Sequence, residues 1–330
     1  MHACAEAPSR SITTIIPTVG RASLARSVAS VLDQEAGPLR ADVIVVNDSG
    51  TAVPVEDWQQ APRVRVLTTE TARSGPSVAR NQGAAVARGR FLHFLDDDDW
   101  MLPGAFAAFA AALERDPSAR WLYGIVERQS RAGEALGHFP VEPEGNVLAA
   151  ILSGEWLPFQ GALVDRELFE ALGGFDPAYP VSEDVDLQLR LSLATDLHRV
   201  RVPVCVYSEG AEASATRRDL CAEYLFRAHD ALFDRAGVVG RAVASATTPH
   251  LYGKVLRHAL IALRDTAARG DVPRAVRRLG VVLALGLRAG TGLVRPDLWR
   301  ALLSARAGMQ PFPAPISSPA LADLGRVDAP

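Results

Sequence analysis

Short β-branched apolar runs alternate with alanine-rich segments along residues 11–126. Each apolar run is bounded by polar or glycine-bearing stretches, as are the buried strands of a parallel sheet. In the segments between them, apolar residues recur three or four positions apart, which is the spacing of one face of a helix. The alternation predicts an α/β fold in which helices flank a mostly parallel sheet.

The same pattern sets bounds for the predicted elements. It predicts strands at 12–16, 42–46, 64–67, 91–95 and 121–126, and helices at 23–32, 76–87 and 104–115. Residues 127–143 are polar and contain Gly and Pro, which predicts a loop or an irregular hairpin. Farther along, helices are predicted at 146–153, 166–172 and 184–194, and strands at 161–164, 200–202 and 204–207. Beyond residue 217 the pattern is almost entirely helical.

Charge separates the chain into two parts. The formal net charge is −3, yet residues 241–330 contain 13 basic and 5 acidic side chains, a balance of +8 that leaves −11 for the rest. Two interpretations of the basic part stay open: a solvated helical bundle, or helices that contact an anionic membrane surface. The predicted organisation is an N-terminal tail at 1–10, an α/β domain at 11–215, a basic helical extension at 216–310 and a Pro/Ala-rich tail at 311–330.

The N-terminus and the apolar stretches bear on localisation. His2, Glu6, Pro8 and Arg10 interrupt the first ten positions, unlike the apolar core of a secretory signal. The longest apolar stretch, 279–287, is well short of the roughly 20 residues that span a bilayer. We therefore expect a cytoplasmic protein, with peripheral contact at the inner face of the membrane as an extension of that expectation.

Four consecutive aspartates, Asp96 to Asp99, follow the predicted buried strand at 91–95. Neighbouring carboxylates raise one another's pKa, so a divalent cation is their natural partner. Oxygen ligands favour Mg²⁺ or Mn²⁺, and ligands in open α/β sheets gather at the carboxyl ends of strands. The competing interpretation is an acidic loop that caps the helix after Pro103 and Gly104.

Polar groups also follow other predicted elements. A carboxylate at Asp48, after the second strand, can bond a base or a ribose, although Asn-Asp-Ser-Gly is also ordinary turn chemistry. Arg73 and Arg80 stand before and within a predicted helix, where arginines either hold phosphate oxygens or lie in solvent. Glu183 and Asp184 open another helix, where a carboxylate either stabilises the helix dipole or acts as a general base.

Taken in order, these segments resemble the family-2 inverting glycosyltransferases with the GT-A fold, over roughly residues 11–210. The resemblance is carried by Ile-Ile-Pro17-Thr18-x-x-Arg21, Asn47-Asp48-Ser49, Gly75-Pro76 with Ala79-Arg80-Asn81-x-Gly83, Phe-Leu-Asp96-Asp97-Asp98-Asp99, Gly173-Gly174-Phe175-Asp176, and Glu183-Asp184 with Arg190. It implies a GT-A domain over this range, and the helical extension predicted beyond residue 217 adds no recognisable motif.

The resemblance also implies a role for particular residues. Asp96 and Asp98 would form an Asp-x-Asp motif that holds Mn²⁺ or Mg²⁺ at the diphosphate of the donor. Asp48 would contact the donor base, Thr18 would lie in the nucleotide pocket, and Asp184 would deprotonate the acceptor hydroxyl. The residues expected to contact donor or acceptor are Pro17, Thr18, Arg21, Asp48, Arg73, Arg80, Asn81, Asp97, Gln160 and Glu183.

The implied partners are a nucleoside-diphosphate sugar, with UDP as the first expectation, and an unidentified acceptor in polysaccharide, glycolipid or other glycoconjugate synthesis. No nucleic-acid partner is expected. Two departures from many relatives are visible: Val19-Gly20 replaces Tyr-Asn, and Tyr207-Ser208-Glu209-Gly210 lacks a metal-binding histidine, which Glu209 would have to replace.

Three other functions compete with glycosyl transfer. A catalytically degenerate GT-A protein that acts as a binding or scaffolding partner is the main alternative. A Walker-type ATPase needs a Gly-x-x-x-x-Gly-Lys-Ser/Thr loop, which the chain lacks, and its one lysine is Lys254. A nucleotidyltransferase needs a Gly-rich basic loop after the first strand, of which residues 17–21 are a thin version.

Overall fold

The computed structural model describes residues 11–34, 39–53, 56–139, 143–209, 227–228, 231, 251–257, 259–261, 263–264, 266–289 and 296–303. The predicted tails at 1–10 and 311–330 lie outside these residues, as does most of the segment between 210 and 250. In the described part of the chain, no helix is long and apolar enough to cross a membrane.

The first third of the chain alternates strands and helices as its apolar pattern predicts. The elements are β1 (Ser11–Thr18), α1 (Leu24–Leu32), β2 (Arg40–Asn47), a 3₁₀ turn (Asp57–Gln60), β3 (Val64–Thr68), α2 (Pro76–Ala85) and β4 (Phe91–Phe94). These four strands are parallel to one another, with β1 between β2 and β4. Their carboxyl ends therefore meet at one edge of the sheet, where the polar segments follow.

The remaining elements complete the sheet and its helical cover. They are β5 (Trp100–Met101), α3 (Ala105–Arg115), β6 (Trp121–Ser130), β7 (Ala135–His138), α4 (Leu148–Leu152), a 3₁₀ turn (Phe159–Gly161), β8 (Ala162–Asp165), α5 (Arg166–Ala171), α6 (Glu183–Ala194) and β9 (His198–Glu209). Beyond them the structure describes a helical segment at 251–257 and the longer helices α7 (Val272–Ala289) and α8 (Pro296–Leu303).

The sheet is mixed rather than mostly parallel. Its strand order is β3-β2-β1-β4-β8-β6-β9-β5, with β7 paired to β6. Strand β8 runs antiparallel to both β4 and β6, whereas β6 and β9 are parallel. The α/β fold flanked by helices is confirmed, and the prediction of a mostly parallel sheet holds for β1 to β4.

Two strand predictions are wrong in detail. The two short strands expected at 200–202 and 204–207 are one continuous strand, β9, which carries Pro203 at a shift in its register with β6. The two-residue strand β5 was not predicted, because a pair of residues shows no periodicity. It pairs with β9 and so holds the end of the aspartate run beside that strand. The expected irregular hairpin is confirmed as β6 and β7.

The main core lies between the sheet and its helices, and α2 approaches the sheet closely. A Cβ on Gly83 would stand 2.6 Å from Ile15 Cγ2 and 3.2 Å from Val46 Cγ2, so only glycine allows this approach. A second small cluster joins Leu251, Tyr252 and Val255 to Val281 of α7. Lys254, in the same helical segment at 251–257, donates a 2.5 Å bond to Glu155 of the sheet domain.

Candidate active site

The loop after β1 is fastened to the aspartate run by Asp97. Thr18 Oγ1 donates a 2.6 Å hydrogen bond to Asp97 Oδ2, and Arg21 forms an ion pair with Asp97 Oδ1. Arg21 also lies 3.7 Å from Asp98 Oδ2. Since Asp97 is almost fully buried, its carboxylate holds the β1 loop in place, and three residues expected to contact substrate are connected to one another.

The other three aspartates of the run face a common point. One carboxylate oxygen from each of Asp96, Asp98 and Asp99 lies within 4.8 Å of the other two. Burial raises the pKa of Asp98, and the charge of Asp96 raises it further. Burial also raises the pKa of Asp99, with Asp96 as the next cause. This crowding of hard oxygen ligands is suited to a divalent cation.

The side-chain amide of Gln160 bridges two aspartates of this cluster. Its Nε2 donates to Asp96 Oδ2 at 3.0 Å and to Asp99 Oδ2 at 2.8 Å. The backbone carbonyl oxygen of Gln160 is 2.9 Å from His93 Nε2, so that nitrogen carries the proton, and His93 Nδ1 accepts from Thr14 Oγ1. Burial lowers the pKa of His93 to about 4, which keeps the imidazole neutral. The structure therefore places Gln160 against the aspartates.

Arg80 links the aspartate cluster to the start of α6. Its guanidinium donates to Asp96 Oδ1 at 2.7 Å and to Glu183 Oε1 at 2.7 Å. Burial opposes the charge of Arg80, but Asp96 and Glu183 outweigh burial and raise the pKa of the guanidinium. Arg80 is thus a buried cation between two carboxylates, which excludes the solvated interpretation of this residue.

Asp184, the expected base, lies at the first turn of α6 and is partly exposed. Its Oδ2 accepts a 2.6 Å hydrogen bond from Trp156 Nε1, and its Oδ1 accepts from the backbone of Val185 at 2.9 Å. Burial and then the charge of Glu183 raise the pKa of Asp184 to about 6. A carboxylate with this pKa can accept a proton near neutral pH.

Trp156 is itself held by two other aromatic rings. Its ring lies edge-to-face with Phe139 and Tyr207, at centroid distances of 5.3 and 5.9 Å. Trp156 is partly buried, and its bond to Asp184 is a role that the sequence did not indicate.

Two predicted contact residues use their polar groups within the protein. The Asp48 carboxylate accepts bonds from Thr69 Oγ1 at 2.8 Å, Ser74 N at 2.8 Å and Gly75 N at 2.9 Å. Asn81 pairs its amide with both backbone groups of Phe175, at 2.7 and 2.9 Å. Asp48 thus shapes the loop before α2, and Asn81 fastens the turn that precedes α6.

The two remaining predicted contact residues flank these groups. Pro17 lies near the end of β1, and Arg73 is exposed in the loop before α2 with a left-handed φ of 58°. The substrate contacts expected of these two residues stay predictions, as do those of the other eight residues expected to contact donor or acceptor.

The structure adds one candidate ligand and removes another. Asp99 belongs to the cluster although the sequence indicated only Asp96 and Asp98 as ligands. Its orientation depends on a 2.7 Å bond from the backbone N–H of Ser208 on β9, which no local signal predicts. Glu209, considered as a substitute for the absent histidine, instead pairs with Arg128 and stands outside the cluster.

Comparisons with known proteins agree with this geometry. Residues 13–143 match the family model described as glycosyl transferase family 2, and this range contains all four aspartates of the run. An uncharacterized glycosyltransferase of Haemophilus influenzae is 28% identical over 183 residues, which cover 54% of this chain and 61% of that protein.

Two further relatives have more specific names. The O-antigen biosynthesis protein RfbC of Myxococcus xanthus is 28% identical over 64% of this chain and 16% of its own length. The GalNAc(5)-diNAcBac-PP-undecaprenol beta-1,3-glucosyltransferase of Campylobacter jejuni is 24% identical over 48% of this chain and 54% of its own length. The matched regions therefore span less than two thirds of each of these relatives. On the family match and these relatives, residues 13–143 of the chain carry a family-2 glycosyltransferase domain, within an α/β fold of the GT-A kind.

Proposed function

We propose that this domain transfers a sugar from a nucleoside-diphosphate donor to an acceptor hydroxyl with inversion at the anomeric carbon. The observation that carries the proposal is the connected set of charged groups at the strand ends. Asp96, in the carboxylate cluster, contacts Arg80, and Arg80 contacts Glu183, the neighbour of the expected base Asp184. One site therefore contains groups suited to a diphosphate and a group suited to a hydroxyl.

The carboxylate cluster fits Mn²⁺ or Mg²⁺. Three carboxylate oxygens within 4.8 Å of one another are a hard ligand set, and the side chains of Asp96 and Asp98 keep about a third of their surface exposed. Asp96, Asp98 and Asp99 would hold the cation, and its charge would offset that of the departing diphosphate.

Asp184 is the general base that accepts the proton of the acceptor hydroxyl. The acceptor oxygen forms a bond to the anomeric carbon while the bond from that carbon to the diphosphate oxygen breaks. The hydroxyl proton passes to a carboxylate oxygen of Asp184, and the nucleoside diphosphate leaves with the electron pair of the broken bond. A single displacement of this kind inverts the anomeric configuration.

The nucleotide would lie beside the ends of β2 and β3. An open hollow of about 390 Å³ is lined there by Asn47, Thr51 and Thr69, among others. Asp48 organises the adjoining loop through Thr69, which supports a nucleotide contact in this region. UDP is the first nucleotide to test, because the resemblance to family 2 favours it.

The acceptor would belong to envelope polysaccharide or glycolipid synthesis. One relative is named for O-antigen biosynthesis, and another is named as a glucosyltransferase for an undecaprenol-linked oligosaccharide. The basic helices beyond residue 241 favour the same setting, since a lipid-linked acceptor lies at a membrane surface. We accordingly propose a cytoplasmic enzyme in peripheral contact with the inner face of the membrane.

Calorimetric titration of UDP, GDP and dTDP, with and without Mn²⁺, tests the proposal. We expect metal-dependent binding of one nucleotide that Asp98→Ala abolishes. Asp42→Ala is the matched control, because Asp42 is an exposed aspartate near the opposite end of β2. If none of the nucleotides binds, the result favours the alternative of a catalytically degenerate scaffolding protein. If a nucleotide binds but its sugar donor is never turned over, with or without acceptor, the same alternative applies.

A further inference from the structure

Helix α7 (Val272–Ala289) exposes a continuous apolar stripe. Its members are separated by four, three, four and four positions, which keeps them on one face of the helix. Their exposed fractions are 65% for Val272, 64% for Val276, 45% for Leu279, 60% for Leu283 and 84% for Leu287. We call these five residues the α7 stripe.

The opposite face of α7 packs on the protein. Val281 contacts the cluster of Leu251, Tyr252 and Val255, and Arg278 is buried with a bond to Thr266. The helix is therefore already anchored through one face, and the α7 stripe is not needed for that anchoring. Exposed apolar area on this scale marks an interaction surface more often than a solvated one.

The charges of α7 indicate what kind of surface it meets. Apart from Arg278 on the packed face, the helix contains three arginines, Arg274, Arg277 and Arg288, and no acidic residue. Arg277 is exposed on the flank of the α7 stripe. Farther along, α8 exposes Trp299 at 46% and Leu303 at 75%. Apolar stripes flanked by arginine and accompanied by tryptophan are typical of helices that lie in the interface of a bilayer.

We propose that the α7 stripe docks on the surface of an anionic lipid bilayer. The inference deepens the proposed function, because it assigns the membrane contact to one face of one helix. A bilayer with anionic headgroups would cover the stripe and neutralise the exposed Arg277 beside it. A second copy docked stripe to stripe would instead bring together two helices that each have a net positive charge, which like charges oppose.

Sedimentation of the full chain with lipid vesicles tests the inference. Vesicles of phosphatidylcholine with and without phosphatidylglycerol are compared, using wild type, Leu283→Gln and Ala284→Gln. Ala284 is also exposed and is the next residue along, but it lies off the stripe, so it is the matched control. We expect wild type and Ala284→Gln to bind phosphatidylglycerol vesicles and Leu283→Gln to bind roughly tenfold more weakly.

Three results would overturn the inference. They are no binding of wild type to phosphatidylglycerol vesicles, equal binding of wild type and Leu283→Gln, and self-association in lipid-free solution that Leu283→Gln abolishes. The last result would show that a second copy covers the stripe. Nucleotide titration of Leu283→Gln separates this inference from the proposed function, since it should match wild type whatever the vesicles show. Failure of nucleotide binding with vesicle binding intact would count against the transferase alone.

Discussion

The indole Nε1 of Trp156 donates a 2.6 Å hydrogen bond to Oδ2 of Asp184. This bond favours the charged carboxylate, whereas burial and the charge of Glu183 favour the protonated one and raise the pKa to about 6. Because Phe139 and Tyr207 contact the indole ring edge-on, the donor is fixed in direction. Trp156 therefore tunes and orients the expected base, although it lies outside the motifs that carry the family resemblance.

Replacing Trp156 should move the pH dependence of catalysis. Trp156→Phe removes a donor to the charged carboxylate, so the pKa of Asp184 should rise above about 6. A base works when deprotonated, so the rate increases with pH through this pKa. The acidic limb of the rate profile should therefore move to higher pH, with rates near wild type at alkaline pH. The measurement is nucleoside-diphosphate release as a function of pH.

Trp58→Phe is the matched control for this substitution. Its indole also donates to a carboxylate, that of Glu56 at 3.1 Å, but in the 3₁₀ turn before β3. Asp184→Asn should lower the rate by roughly 10²–10⁴-fold at every pH and abolish the acidic limb of the rate profile. An acidic limb that stays in place in Trp156→Phe would show that another group titrates there.

Removing one charge from the aspartate cluster should stabilise the protein without metal. Burial and Asp96 raise the pKa of Asp98, outweighing Arg21, so folded protein keeps a proton that the unfolded chain has already released. Stability is therefore lost as pH rises from the ordinary value of Asp through the raised one. Asp98→Asn should raise the melting temperature at pH 7 in EDTA, and this gain should shrink in acid.

With Mn²⁺ present, wild type should melt at a higher temperature than Asp98→Asn, which is the reverse of their order in EDTA. The cation binds folded wild type and raises its melting temperature, while Asp98→Asn has lost a ligand and gains little. Asp42→Asn removes the same charge outside the cluster and should respond to Mn²⁺ as wild type does. Equal Mn²⁺ responses in wild type and Asp98→Asn would exclude Asp98 as a ligand.

The local pattern of apolar and polar residues was sufficient to predict those strands and helices that can be recognised from their own sequence. Strands β1, β2 and β4 are short apolar runs, and the start of α2 carries Pro76 at its first position. The directions of β8 and β9 were beyond this reasoning, because they depend on which strands become neighbours. The same limit applied to the site. The run of four aspartates was enough to predict Asp96 as a ligand. The bonds from Ser208 to Asp99 and from Trp156 to Asp184 join residues that are distant in sequence, so no local pattern predicts them.

The close approach of α2 to the sheet predicts that replacing Gly83 lowers the stability of the protein. Gly83→Ala would place a Cβ 2.6 Å from Ile15 Cγ2, so the free energy of unfolding should fall by roughly 1–3 kcal/mol. Gly280→Ala is the control, because α7 leaves open space at that position and alanine favours a helix by up to about 1 kcal/mol. Urea unfolding measures both. An unchanged Gly83→Ala would mean that α2 can move away from β1.

The contact between Lys254 and Glu155 predicts coupling between the C-terminal helices and the site. Glu155 is 5% exposed, precedes Trp156, and has a pKa that burial raises and Lys254 lowers. Lys254→Met would leave this carboxyl buried without its cation and should cost about 1–3 kcal/mol in unfolding free energy. Arg201→Met removes a 2.7 Å ion pair with Glu144 from the surface and should change stability by less than ~1 kcal/mol.

The double variant Lys254→Met with Glu155→Gln decides whether the cost comes from the unpaired carboxyl. Replacing both partners removes the buried charge, so most of the lost stability should return. If Lys254→Met also shifts the acidic limb of the rate profile, the contact acts through Glu155 on Trp156 and so on Asp184. If Lys254→Met is as stable as wild type, the helical segment at 251–257 does not rest on Glu155 in solution, and the proposed coupling fails.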